Sequence, residues 1–196
     1  MNRSETTRLL RQARDGHTDA VNRLYDRLGG RLLALVRLRM GDHLRQRIEP
    51  EDVVQEVLLD SFRRIEDFEQ DNSRSFFAWL ATIANHRISD LATFHRRAKR
   101  DMDITVAEPS QPLPAQLRSA LSHMIVDQKM ADLERALASL PEKHREMIIL
   151  RRLEERPFSE IAQLTNCRED AARMLFNRAL AKLTLAMAAQ KKEGPS

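Results

Sequence analysis

Apolar residues recur along this chain with the period of an α-helix almost from end to end. The first half predicts four helices: about Ser4–Leu28, about Arg31–Met40 after the Gly29-Gly30 pair, one opening at Pro50 and one opening near Ser73. In EDVVQEVLLDSFRRI, Val53, Val57, Leu58 and Phe62 form one stripe and leave Asp52, Gln55, Glu56 and Arg63 on the open face. Pro50 suits a first helical turn, where its missing N–H is no loss, and Glu51 and Asp52 meet the positive end of the helix dipole. In SFFAWLATIANHR the inward series is Phe76, Trp79, Leu80, Ile83 and Ala84, so Phe76 and Trp79 read as packing residues.

After Arg100 the period lapses. DMDITVAEPSQPLPAQL holds three of the seven prolines and reads as a linker over 101–125. Periodicity resumes by about Ile125 and runs to about Ala189. PFSEIAQLTNCREDAARMLFNRALAKL predicts two helices around a tight turn, with Phe158, Ile161, Ala162 and Leu164 inward on the first. Ala172, Leu175, Phe176, Ala179 and Leu183 face inward on the second. Asn166 stands where the turn needs a residue that tolerates positive φ. The pattern predicts an all-α protein of two small helical domains, 1–100 and 126–190, joined by a flexible linker, the second a helix-turn-helix.

Charge changes the picture because it is unevenly spread. Residues 1–47 carry eleven Arg against five acids, 49–71 carry nine acids against Arg63 and Arg64, and Asn85–Arg100 carry five basic residues against Asp90. Alternating blocks predict different surfaces for different partners. The basic residues are mostly arginine, whose planar fork suits phosphates and base edges. A helix-turn-helix presents its second helix to the DNA major groove, and there Glu169, Arg173 and Asn177 lie one turn apart on the outward side. The plain alternative for each surface is solvation alone.

Other chemistry is poorly supplied. A single cysteine, Cys167, excludes an internal disulfide and a cysteine-cluster zinc site. The six histidines include no HxxxH or ExxH pair, and no cofactor or metal is predicted. His95 reads as solvent-exposed. No apolar run reaches signal-peptide length or about 18 residues, which predicts a cytoplasmic protein without direct membrane insertion.

EDVVQEVLLDSF and FFAWLATIANHRISDLATFHRR resemble conserved region two of bacterial RNA polymerase sigma factors of the extracytoplasmic-function group. LPEKHREMIILRRLEERPFSEIAQLTNCREDAARMLFNRALAKL resembles their region four. The matches stand in the family's order, cover about two thirds of the chain and are separated by the linker. The resemblance implies a promoter-specificity subunit that binds core polymerase, recognises promoter DNA and helps to open it, without covalent chemistry of its own.

By the same resemblance, Asp52, Gln55 and Glu56 contact the β′ clamp helices, and the β flap is a second core contact. Asn85, His86, Arg87, Arg96, Arg97, Lys99 and Arg100 serve the minus-ten element and the melted non-template strand. Either Asn85 or His86 fills the flipped-base pocket, because the family's usual Asn position is His86 here and Asn85 comes one residue earlier. The arginines and Lys99 neutralise phosphates. Arg168, Glu169, Arg173, Asn177 and Arg178 serve the double-stranded minus-thirty-five element. An anti-sigma factor is a further partner the resemblance admits. The chain departs from the family at Glu155 and Asn166, both common Gly positions, and at Arg168, a common Ser or Thr cap.

Two rival readings follow from the same residues. An autonomous helix-turn-helix regulator needs neither the acidic Pro50 helix nor the FxxWL stretch. A carboxylate-dependent catalyst built on Glu51, Asp52 and Glu56 needs a closed pocket and His partners, and the cluster lies on an open face without ExxH.

Overall fold

The computed structural model of the chain describes residues 3–68, 76–98 and 128–193. Every regular element among them is helical. The chain divides into two compact units, Met1–Val126 and Asp127–Ser196. The expected linker over 101–125 lies outside the described residues, as does the expected helix start near Ser73.

In the first unit α1 spans Arg3–Arg14, α2 Thr18–Arg39, α3 Asp42–Arg45, α4 Pro50–Arg63 and α5 Phe76–Ala98, with a 3₁₀ turn at Ile65–Asp67. The expected helix over Ser4–Leu28 is broken at Gly16, not at Gly29-Gly30. Gly16 has φ +86°, and the amides of Gly16 and His17 turn back to the carbonyls of Ala13 and Gln12 at 3.2 and 3.0 Å. That pattern is the glycine C-terminal cap that ends α1. Gly29 and Gly30 lie inside α2 instead, since Leu24, Tyr25, Leu28, Leu32, Leu33 and Leu35 are buried around them. Burial of those six side chains outweighs the ~1 kcal/mol that each glycine costs a helix interior.

The core lies where α2, α4 and α5 meet. Phe68, Phe76 and Trp79 form a ring cluster with centroids 5.3 to 5.5 Å apart. Phe76 is buried and Trp79 half-buried, as their place on the stripe implies. Phe77, off that stripe, is buried too, and the Arg31 guanidinium stacks 3.7 Å above its ring. The stripe on α4 is shifted: Val54, Leu59 and Ser61 join Val53, Val57 and Leu58 inside, while Phe62 is 40% exposed. Further staples join the helices: Arg27 to Glu5 and Arg37 to Glu51, each at 2.6 Å, and Arg14 to the Ile65 carbonyl at 3.3 Å.

In the second unit α6 spans Gln128–Ala138 and α7 Glu142–Ile148, continuing as a π-helical turn over Ile149–Leu153. α8 follows at Phe158–Leu164 and α9 at Glu169–Glu193. Ile161, Ala162, Ala172, Phe176, Ala179 and Leu183 are buried as expected. Leu164 is not: at the last turn of α8 it is 58% exposed, because the chain turns away there before a neighbour covers it. Phe158 and Leu175 are half-buried.

A buried polar pair fastens α2 to α4. The Tyr25 hydroxyl lies 2.8 Å from Ser61 Oγ and 3.2 Å from the Leu58 carbonyl, which accepts from Ser61 Oγ at 2.8 Å. Burial pushes the Tyr25 hydroxyl up from 10.0 to about 12, against the opposing hydrogen bond from Ser61. The unfolded chain therefore loses this proton first, and stability falls as pH rises from about 10 to about 12. Tyr25→Phe is expected to cost about 1 kcal/mol at neutral pH. It should also flatten the alkaline fall, measured as the difference between wild-type and variant denaturation curves across that range.

Candidate functional site

On the first unit, α4 and α5 carry the charged faces. Val53, Val54, Val57 and Leu58 anchor α4 by its inner side, which leaves Asp52 exposed and Gln55 and Glu56 half-buried on the outer side. These three share one face, spaced i, i+3 and i+4. Glu51 is separate from them, since it accepts from Arg37 at the first turn.

α5 presents two sides. Along one, Asn85 is half-buried and His86 exposed. There a cleft of about 580 Å³ between α4 and α5 is bordered by His86, Arg87, Asp90, Glu56, Asp60 and Arg63. Arg87 Nε donates to Glu56 Oε2 across it, so a residue expected to serve DNA is joined to one expected to serve polymerase. Along the other side, a cleft of about 700 Å³ has Leu44, Ile88 and Ala92 in its lining. Arg39, His43 and Arg47 join His95 and Arg96 on that lining. The first three carry no expected role, because they come from the end of α2, from α3 and from the stretch after it, and no sequence period links them to α5. His95 is half-buried rather than open, with the Phe94 ring edge-on at 5.3 Å. Arg96 reaches Ala92 O and Thr93 Oγ1 at 3.2 Å, and Arg97 is exposed. Lys99 and Arg100 lie outside the described residues.

In the second unit a turn and a cap frame the outward helix. At the end of α8 the amides of Asn166 and Cys167 reach Gln163 O and Ala162 O at 3.3 and 2.9 Å, and Asn166 has φ +48°. The residue chosen for left-handed tolerance adopts that conformation. Glu155, the other departure at a common Gly, has φ +57°. Here the π-helical turn carries the chain one residue further, and the Arg156 amide closes it on Leu150 O at 2.9 Å.

On α9, Arg173, Asn177 and Arg178 are exposed, Arg168 is exposed just before it, and Glu169 is half-buried. Arg173 pairs with Glu169 one turn back, and its guanidinium lies 4.7 Å over the Phe158 ring. Arg151 lies over the same ring at 4.8 Å. Phe158 is thus a platform that the sequence reading counted only as core. Met174, 56% exposed beside Arg173, was also unassigned. Cys167 is exposed, with Thr165 Oγ1 3.2 Å from its sulfur. Among the described residues no group of three or more His, Cys, Asp or Glu side chains could hold a metal ion. No helix among them is long and apolar enough to cross a membrane.

Comparison with known proteins returns two family models, in order along the chain. Sigma-70 region 2 matches residues 24–100, and Sigma-70, region 4 matches residues 130–183. The ECF RNA polymerase sigma factor ShbA of Streptomyces griseus is 30% identical over 136 residues, covering 68% of this chain and 69% of ShbA. SigD of Mycobacterium tuberculosis, also an ECF RNA polymerase sigma factor, is 28% identical over 178 residues, covering 89% of this chain and 80% of SigD. The ECF RNA polymerase sigma-E factor of Escherichia coli is 29% identical over 132 residues, covering 65% of this chain and 68% of that protein.

Ion pairs fasten the end of the π-helical turn to the first turn of α8. Glu154 is 3% exposed, its carboxylate 2.7 Å from Arg156 Nε, and Arg156 also pairs with Glu160. Burial pulls the Arg156 guanidinium down, but hydrogen bonding to Glu154 and the charges of Glu154 and Glu160 outweigh it, so its pKa is raised. Arg156→Ala removes a cationic partner from a buried carboxylate and is expected to destabilise this unit by about 3 kcal/mol. Glu154→Gln should cost clearly less; hydrogen exchange of α8 and α9 amides measures both, and equal costs would remove the undercompensated buried charge as the cause.

Proposed function

The chain belongs to the sigma-70 family, in its extracytoplasmic-function group, and we propose a residue-level division of labour for it as the promoter-specificity subunit of RNA polymerase. Domain 1–100 docks on core polymerase through Asp52, Gln55 and Glu56. The far half of its α5 handles the minus-ten element, with Asn85 and His86 at the base pocket and Arg96 and Arg97 on phosphates. Lys99 and Arg100 extend that cationic run. Domain 126–190 lays α9 in the major groove of the minus-thirty-five element through Arg168, Glu169, Arg173, Asn177 and Arg178. It works on nucleic acid by binding alone, in the cytoplasm where its template is, and uses no cofactor.

The observation that carries this reading is the separation of sign on the two matched regions. Asp52 stands exposed on α4 beside half-buried Gln55 and Glu56, and an Arg/Asn face stands open on α9. Each is anchored by a buried face on its own helix, so the outward side chains are not what packs the core. A carboxylate face repels phosphate and suits a basic protein surface. A free-standing regulator has no use for it, and the match over residues 24–100 leaves that rival without support.

Reconstitution with core polymerase on genomic DNA, followed by transcript sequencing, tests the whole. Initiation at a defined set of promoters is expected, and tight operator binding without initiation would sink the reading. On a promoter so identified, Arg173→Ala is expected to relax discrimination at one or two upstream base pairs by about 1–3 kcal/mol. A uniform loss on every sequence would make it a phosphate contact. Removing Arg96 and Arg97 together should lower the salt slope of strand binding by about 0.7 per lost phosphate contact.

A further inference from the structure

The Arg87–Glu56 ion pair joins a residue expected to serve DNA to one expected to serve polymerase, and its setting decides which surface owns it. Arg87 Nε donates to Glu56 Oε2 from α5 to α4, with side-chain exposures of 40% and 21%. The carboxylate is thus the more enclosed partner. The cleft that the pair spans is charge-balanced: Glu56, Asp60 and Asp90 face Arg63, Arg64 and Arg87 on its lining. Asp60 and Arg64 themselves pair at 3.5 Å. An Arg given over to a strand phosphate here would bring that phosphate among three carboxylates and take from Glu56 the guanidinium that holds it. Arg96, in contrast, borders a cleft whose charged and titratable lining is Arg39, His43, Arg47 and His95, without a carboxylate. The two sides of α5 therefore differ in kind: one is cationic, the other neutralised.

We propose that Arg87 is a positioning residue of the polymerase-binding surface, which fixes the Glu56 carboxylate on α4, and that it takes no part in neutralising strand phosphates. The assignment rests on the reading of Asp52, Gln55 and Glu56 as the core-binding face. Holding Glu56 from a neighbouring helix removes rotamer freedom that binding would otherwise have to freeze. It also makes the electronegative face depend on two helices being docked, so the face is complete only in the folded unit.

The test uses the full chain carrying a fluorescent label, titrated with core polymerase, as wild type, Arg87→Gln, Arg87→Lys, Glu56→Gln and the Arg87→Gln/Glu56→Gln double variant. Thermal unfolding of each reports that the fold is kept. Arg87→Gln and Glu56→Gln are each expected to weaken core binding about fivefold, and the double variant no more than either alone, because the two act as one unit. Arg87→Lys should recover most of the affinity. With core saturating, the salt slope of binding to a melted promoter strand should match wild type in Arg87→Gln. Wild-type core affinity in Arg87→Gln with a lowered salt slope would make Arg87 a phosphate contact and overturn the proposal. Multiplied losses in the double variant would overturn it too, since independent contacts add. Asp52→Asn separates the levels: weakened core binding there with none in Arg87→Gln removes the positioning role alone. No change in Asp52→Asn, Glu56→Gln or Arg87→Gln removes the α4 face as well.

Discussion

Everything α5 offers to a partner is held by the burial of one end of that helix. Its opening turns bring Phe76, Phe77 and Trp79 against Phe68, α2 and α4, and Leu80, Ala81 and Ala84 extend that contact inward. A 23-residue helix is about 35 Å long, so clamping half of it leaves a rigid arm of some length. Arg96 and Arg97 ride on that arm. Were the aromatic end loose, the cations would still be present but their spacing would vary, and a strand of fixed phosphate spacing would gain little from them. Core packing here is a condition of recognition rather than a separate matter.

The same economy governs the arginines. In the sequence they form blocks, and a block looks like a surface. In the structure many are turned inward or sideways. Arg14 ties α1 to the 3₁₀ turn, Arg27 and Arg37 join helices, Arg31 covers Phe77, and Arg156 neutralises a buried Glu154. Arg suits these tasks because its fork can pair with a carboxylate while its flat face lies on a ring. Net charge over a stretch of chain therefore overstates the charge available to nucleic acid, and only the three-dimensional partner list separates the two uses.

What could be read from the chain and what could not follows that boundary. The helices of α4, α8 and α9, part of their buried stripes and the left-handed Asn166 were legible, because period and turn chemistry are local. The end of α1 was misplaced since two glycines in a row look like a stronger break than one. Gly16 is unprotected by neighbouring apolar residues, whereas Gly29 and Gly30 sit among leucines that hold α2 helical. Phe62 and Leu164 fell on the right stripes but near helix ends, where no second element reaches them. Phe77 fell off the stripe and is buried because α5 is covered from more than one side. The three positively charged or titratable residues beside Arg96, namely Arg39, His43 and Arg47, were hidden because proximity across 50 residues leaves no mark in a single sequence.

The helix-turn-helix shows how an already occupied side chain can discriminate. Arg173 is held by Glu169 and by the face of Phe158, so it does not sweep freely over the surface. An exposed pair of this kind is worth about 0–1 kcal/mol. A bidentate guanine contact contributes about 1–3 kcal/mol of discrimination, which exceeds that exchange cost, whereas an unmatched base edge returns too little to cover it. If Arg173 reads a base edge as proposed, Glu169 opposes non-cognate binding twice, since it competes for the guanidinium and repels the phosphates on either side of the groove. The Phe158 ring lies 4.7 Å under the Arg173 guanidinium and so limits the directions that side chain can take. On that proposal, specificity at this position is the difference between two partners for one cation, Glu169 in the free protein and a base edge in the complex.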